Sequence, residues 1–319
     1  MMNGIPGMIA RRLIQLVPVM IVATFVVFSL VYLMPGDPAV TIAGDYATEE
    51  RVEEIRRIYG FDRPMLVQYF AWLGNVAIGD LGRSLFSNES VLTLILARLP
   101  HTILLVVYAL IVGALIGVPL GILAATRQGT TLDKVITSVA SLGVAIPNFW
   151  LGIILVTMFS LNYRWFPATG ATSFFEDPVK ALYFATLPAI ALSTGVVAVL
   201  ARQVRSALLE VLGSQYIRTL RAKGLSSGAI LWKHGLRNVA ATMLTIAGLQ
   251  VNRLFSSAVI VEAVFAIPGV GNLISYSALN KDFPVVQGVA LVLVLVVILT
   301  NLLVDVLNSI FDPRVAATT

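Results

Sequence analysis

Apolar residues come along this chain in six long runs, roughly 12–33, 99–125, 135–161, 182–201, 239–261 and 285–310, with more polar stretches between them. Each run is close to or above the ~20 residues a helix needs to cross the hydrocarbon core of a bilayer. None alternates apolar with polar positions, so none reads as a strand of a transmembrane barrel. The pattern predicts an all-α, polytopic membrane protein with six transmembrane helices. The first run follows Arg11-Arg12 and stops at the breaker Met34-Pro35-Gly36-Asp37-Pro38. It is too long for a cleaved signal peptide and lacks a small-x-small cleavage site.

Two polar stretches are too long for plain loops. In 34–98, Thr48 can cap a helix with Glu49 and Glu50 in its first turn, Arg56 and Arg57 in its last, and Gly60 as its stop. Both charge biases suit the helix dipole. Val52, Ile55 and Ile58-Tyr59 give it one apolar face, and a second, aromatic-rich helix follows from Pro64 to about Val76. The pair reads as a small extracytoplasmic cap, or as interfacial helices with no specific role. In 202–238 the sequence predicts two helices, about 203–222 and 226–236, with Gly224 at the corner and Ser226 or Ser227 as the second cap. The chain thus divides into 1–33, the cap 34–98, and a five-helix core 99–319 that carries the polar loop 202–238.

Composition supports this division: 58% of the 319 residues are hydrophobic, only 12% are charged, and mean hydropathy is +0.89. Soluble domains run at about 45–50% apolar and about 25% charged. A disordered, fibrous or nucleic-acid-binding chain is excluded, and a soluble enzyme is disfavoured. With no cysteine, disulfides and thiolate metal sites are excluded as well.

The net charge of +5 divides unevenly. With the N-terminus inside, twelve basic residues face four acids on the inner side and nine face thirteen on the outer side, so the two sides carry +8 and −4. An inner basic excess sets orientation and predicts that both termini are cytoplasmic.

No catalytic constellation assembles. His101 and His234 fall on opposite sides of the membrane, and no G-x-S-x-G, H-E-x-x-H or phosphate-binding G-x-x-x-x-G-K-[ST] occurs. Metal ligands and a catalytic site are not expected. An ionisable group within a span is a functional candidate, because placing it there costs roughly 2.5–3.5 kcal/mol on insertion scales. Arg253 and Glu262 in the fifth run qualify, with Asn252 beside Arg253. They are candidates for a water-lined path or for a structural pair with a neighbouring helix. The turn Ile267-Pro268-Gly269-Val270-Gly271 after that run suits a loop dipping toward a pore mouth, so Pro268, Gly269 and Gly271 join the pathway or gate candidates. Buried carboxylate or histidine relays are lacking, which argues against coupling to ion flow. Gly113, Gly117 and Gly121 recur at i, i+4, i+8 and predict close helix approach. Pro119, Pro147 and Pro188 are candidate kinks.

Several segments together resemble a known family. Leu33-Met34-Pro35-Gly36-Asp37-Pro38, Gly79-Asp80-Leu81-Gly82-Arg83-Ser84, the run from Tyr216 to Leu225, His234-Gly235-Leu236-Arg237-Asn238, Val261-Glu262-Ala263-Val264-Phe265, Pro268-Gly269-Val270-Gly271 and Asp312-Pro313-Arg314 stand in this order. They look like the motifs of permease subunits of binding-protein-dependent ABC importers, in the dipeptide, oligopeptide, nickel and glutathione group. The resemblance covers nearly the whole chain.

It implies a type I ABC importer permease fold in a bacterial inner membrane. It also implies that Tyr216, Arg218, Thr219, Arg221, Ala222, Lys223, Gly224, Leu225, His234, Arg237 and Asn238 form a cytoplasmic segment that docks on an ATPase. Where the broader signature has Glu-Ala-Ala, this chain has Arg218-Thr219-Leu220, and Leu220 departs from the alanine usual in the group. The implied partners are a second permease, expected to be a different chain, two ATPase subunits holding ATP and magnesium, an extracytoplasmic substrate-binding protein and membrane lipid, with no nucleic acid. No cofactor is expected on this chain. Peptide is the first expected cargo, with nickel chelate and glutathione as alternatives. A stand-alone secondary transporter is the remote alternative, since inverted repeats and charge relays are not seen. An intramembrane peptidase is a third class, and it lacks its serine–histidine or paired-aspartate set.

Overall fold

The computed structural model describes residues 5–33, 37–44, 46–58 and 60–311, with side-chain surroundings between 14 and 307. The Met34-Pro35-Gly36 breaker, Tyr59, Asp312-Pro313-Arg314 and the side chains of Arg11 and Arg12 lie outside these. Among the described residues thirteen α-helices follow in order, with two π-helical stretches, Val156–Asn162 and Ile230–Gly235, between them. The α-helices are α1 (Ile5–Leu33), α2 (Pro38–Ala43), α3 (Glu49–Ile58), α4 (Met65–Ala77), α5 (Val91–Thr126), α6 (Thr131–Ala145), α7 (Asn148–Leu155), α8 (Pro178–Gly213), α9 (Gln215–Ala222), the turn α10 (Ser227–Ala229), α11 (Leu236–Val264), α12 (Val270–Leu279) and α13 (Phe283–Phe311). Among the described residues the only β pairing is an isolated bridge between Arg83 and Ser90.

Each of the six apolar runs falls on helix. Among the described residues, α5, α8, the continuous helix Ser227–Val264 and α13 are long and apolar enough to cross a membrane. The run 135–161 differs from expectation. The expected kink at Pro147 is a full break: the run forms two helices, α6 and α7 with its π-helical extension to Asn162, bent by 96°. Proline explains the break: Pro147 stands at the N-cap of α7 and forces Ile146 into an extended conformation (φ −78°, ψ 123°). Pro119 and Pro188, in contrast, lie inside unbroken helices.

The cytoplasmic stretch also differs. Its expected first helix, 203–222, is two elements, because α8 runs on to Gly213 and Ser214 then starts α9, its hydroxyl accepting from the Ile217 N–H at 3.4 Å. The expected second helix, 226–236, is the root of α11, entered through α10 and a π-helical stretch, Ile230–Gly235. The polar segment is therefore made of the prolonged ends of two membrane helices with one short helix slung between them.

The core is built by α5, α8 and α11. Leu105, Val106 and Ala109 meet Leu192, Val196 and Leu200, and Leu254, Phe255 and Ala258 close the third side. The three glycines of α5 allow this. A Cβ at Gly113 would lie 2.5 Å from Val196 Cγ1; at Gly117, 2.9 Å from the Val197 carbonyl; at Gly121, 2.7 Å from the Ala201 carbonyl. Backbone stands in the way at the latter two, so no rotamer change gives relief. Gly121→Leu is expected to cost about 2–3 kcal/mol. It should lower the detergent melting temperature of the purified chain, whereas Gly195→Ala, with nothing within 4 Å, should not.

Asp133 ties α6 to α8. It accepts Arg205 Nε at 2.5 Å and Nη2 at 2.8 Å, a bidentate pair, and the Gly129 N–H at 3.0 Å. At the other end, α4 lies along the outer half of α1, where the Tyr69 hydroxyl meets Thr24 Oγ1 at 2.9 Å and the Tyr69 ring meets Phe25 and Phe28 edge-on.

Candidate functional site

Residues of the cytoplasmic segment form one continuous surface. α9 is anchored by Ile217, fully buried, while Arg218, Thr219, Arg221, Ala222 and Lys223 point outward. The anchoring floor is apolar: Leu208, Ala125 and Val239 are buried there, with Leu212, Leu231 and Leu236 packed against them. The hydroxyl of Tyr216 sits 2.7 Å from His234 Nδ1, with the rings edge-on at 5.9 Å. This contact latches α9 to the root of α11. Asn238 Nδ2 donates to the His234 carbonyl at 2.7 Å, and Arg237 is exposed beside it.

The corner between α9 and α10 depends on Gly224. Its φ is +79°, the left-handed region that favours glycine, and its N–H donates to the Arg221 carbonyl at 2.9 Å. The Leu225 N–H then donates to the Leu220 carbonyl at 3.2 Å, and Ser226 caps α10 through the Ala229 N–H. Leu220 itself is half-buried against the segment.

The result is a ledge of cations and two exposed aromatics, Tyr216 and Trp232. Among the described residues, no carboxylate pairs with Arg218, Arg221, Lys223, Lys233 or Arg237. An acidic protein surface with an apolar slot is the complement of such a ledge.

The pathway candidates separate. Glu262 has no exposed surface. Its Oε1 accepts the Thr102 hydroxyl at 2.5 Å, and its Oε2 accepts the Asn272 N–H at 3.0 Å. Thr102 Oγ1 in turn accepts the Val270 N–H at 2.9 Å. One carboxylate and one hydroxyl thus serve the free N–H groups that begin α12. The expected turn around Pro268 is the entry to this helix, which the sequence analysis did not foresee. Ala266 takes φ +48°, and Gly269 and Gly271 bring the backbone onto the carboxylate, where a Cβ at Gly269 would overlap it. Pro268 is exposed on top.

Arg253 and Asn252 lie elsewhere. Arg253 is exposed, and Asn252 Nδ2 donates to Asn301 Oδ1 on α13 at 3.2 Å. Arg253 and Glu262 are nine residues apart, which at 100° per residue puts them on opposite helix faces. That signal was present in the sequence.

Two further groups were missed. Asp282, buried, accepts the Ser84 hydroxyl at 2.6 Å and the Leu85 N–H at 3.1 Å, pinning the 79–84 motif to the start of α13. Arg56 of α3 pairs with Asp37, the N-cap residue of α2, which raises the guanidinium pKa above its ordinary value and ties α3 to α2. Asp37, Arg56, Arg83 and Ser84 share the lining of a cavity of about 820 Å³ with Trp72 and Gln287. The 33–38 and 79–84 motifs therefore both contribute to one hollow.

Comparison with known proteins gives consistent matches. Residues 117–317 match the family model of the binding-protein-dependent transport system inner membrane component, and residues 6–106 match that family's N-terminal membrane component model. A putative peptide transport system permease protein of Brucella abortus is 41% identical over 309 residues, covering 97% of this chain and 98% of the relative. The oligopeptide transport system permease protein AppB of Bacillus subtilis is 37% identical over 310 residues (96% and 98%). The dipeptide transport system permease protein DppB of Alkalihalophilus pseudofirmus is 37% identical over 326 residues (96% and 98%). Among solved structures, an inward-facing MetNI methionine ABC transporter chain aligns with a TM-score of 0.58 at 21% identity, covering 69% of this chain and 96% of that one.

Proposed function

This chain belongs to the family of binding-protein-dependent transport system inner membrane components, and from that premise we propose that it forms half of the translocation path of an ATP-driven peptide importer. It is a multi-pass inner-membrane permease with the type I importer fold. The observation that carries the peptide assignment is the end-to-end match to relatives named for peptide, oligopeptide and dipeptide transport. Nickel chelate and glutathione rank behind it.

The division of labour follows from the residues. The sequence has no phosphate-binding loop, so ATP and magnesium belong to two ATPase partners. Their acidic, grooved surfaces receive the ledge from Tyr216 to Leu225 together with His234, Arg237 and Asn238. Movement of that ledge is transmitted by its construction: α9 is latched by Tyr216–His234 to α11 and floored by α8, and both helices run on into the membrane core. A second permease completes the path, and the cap of α2, α3 and α4 offers the extracytoplasmic binding protein its landing surface.

Reconstitution tests the proposal. The chain, a second permease, both ATPases and the binding protein in proteoliposomes should accumulate labelled dipeptide on ATP addition. Uptake or ATP hydrolysis by the purified chain alone would overturn it, as would uptake of nickel chelate or glutathione with no peptide accumulation.

A further inference from the structure

The exposed faces of two membrane helices differ in kind. Along α5, every exposed position from 96 to 123 is apolar, as a lipid-bathed surface requires, and exposed threonines stand only near its ends, Thr93 and Thr126. Along α11, the exposed positions Thr242, Thr245, Leu249, Arg253, Ser256 and Ile260 recur at intervals of three and four and form a single stripe. Four of the six are polar, and one is a cation. A lipid-facing arginine at this depth is strongly disfavoured. The stripe therefore faces water or another chain.

Arg253 lies about 16 Å along the helix from its end at Val264, counting ~1.5 Å per residue, which is near the middle of a membrane span. Among the described residues it has no acidic partner. The acid of its own helix, Glu262, is turned to the opposite face and sealed. Beside it, Asn252 and the exposed Asn301 supply an amide seam between α11 and α13. The arrangement is a solitary planar cation flanked by amides and hydroxyls, with its counter-anion still to be supplied.

We propose that Arg253 is the carboxylate-recognition residue of the translocation path, pairing in passing with the C-terminal carboxylate of the peptide. The inference rests on the peptide assignment above and adds a chemical requirement to it. A guanidinium presents a two-pronged donor set that matches a carboxylate, and the exposed Asn301, whose Oδ1 is held by Asn252, keeps its own amide nitrogen free to meet an adjoining peptide carbonyl. A cargo anion suits the site better than a fixed acid, since a permanent ion pair would close the path, whereas a moving carboxylate leaves with the peptide.

The test compares a dipeptide with its C-terminal amide, each saturating the binding protein, in proteoliposomes holding the full complex. Uptake is read per ATP hydrolysed. Wild type should favour the free carboxylate about tenfold or more. Arg253→Gln should bring the free peptide down to the level of the amide, and Arg253→Lys should restore part of the preference. An unchanged preference in Arg253→Gln overturns the inference. So does an equal loss for both cargoes, which would assign Arg253 to a fixed acid on the second permease. Wild type that moves neither peptide overturns the peptide assignment itself, a result read before any variant is made.

Discussion

Gly224→Pro is expected to abolish peptide uptake, by at least a hundredfold, while the chain still inserts and ATP is still hydrolysed. Three features of the corner conflict with proline at once. Gly224 holds φ at +79°, whereas the pyrrolidine ring fixes it near −65°. Its N–H donates to the Arg221 carbonyl, and proline has no N–H. The preceding Lys223 sits at φ −78°, ψ 4°, a conformation that a following proline disfavours. Steric bulk is not involved, because a Cβ at this position meets nothing within 4 Å.

Damage from Gly224→Pro should therefore stay local. It detaches the Arg221–Leu225 end of the ledge and leaves Ile217 seated and the membrane core intact. Gly224→Ala provides the graded control, since a left-handed non-glycine residue costs roughly 1–2 kcal/mol. It should reduce uptake without abolishing it. Proteoliposome uptake measured beside binding-protein-stimulated ATP hydrolysis checks both variants, and wild-type uptake in Gly224→Pro would remove the ledge from the coupling route.

How much of this was legible in the sequence depended on period and spacing. The six apolar runs mark helices because bilayer thickness imposes a minimum length, and the glycine triplet of α5 announces its close contact with α8 through its i, i+4, i+8 spacing. Thr48 and the charge-biased ends of α3 could be read because capping and dipole effects are local. Features set by azimuth or by distant partners were not read. Asp282 is a single acid at a helix start until Ser84, almost two hundred residues earlier, is folded onto it. Pro147 breaks its run while Pro119 and Pro188 do not, and nothing local distinguishes them. α12 was hidden because its N-terminal N–H groups are served by Thr102 and Glu262 from other helices rather than by a cap of its own. Arg253 and Glu262 were grouped, as candidates for a path or for a structural pair with a neighbouring helix, by depth alone. Their nine-residue separation already placed them on opposite faces.

Removing the carboxylate of Glu262 is expected to damage the fold before it touches transport. Glu262→Ala takes the acceptor from the Asn272 N–H, frees the Thr102 hydroxyl that holds the Val270 N–H, and opens a cavity where no solvent reaches. A buried donor left unpaired costs about 1–3 kcal/mol, and the cavity adds to it, so a loss of about 3 kcal/mol or more is expected. Glu262→Gln separates two roles for the residue. The amide oxygen can still accept the Asn272 N–H, and its nitrogen can donate to Thr102 Oγ1, which has a second acceptor position. If Glu262 anchors α12, Gln should cost about 1 kcal/mol or less and leave uptake near wild type. If it instead works as a charge in the path, Gln should stop uptake as completely as Ala, with an unshifted melting temperature. Thermal denaturation of the detergent-purified complex, run beside uptake for both variants, decides between them. The same network sets the tolerance of its neighbours. A Cβ at Gly271 would stand 2.5 Å from Val259 Cα, so Gly271→Ala should lower the melting temperature as Glu262→Ala does. Pairing Gly271→Ala with Glu262→Ala should bring less than the sum of the two losses, because each displaces the same end of α12.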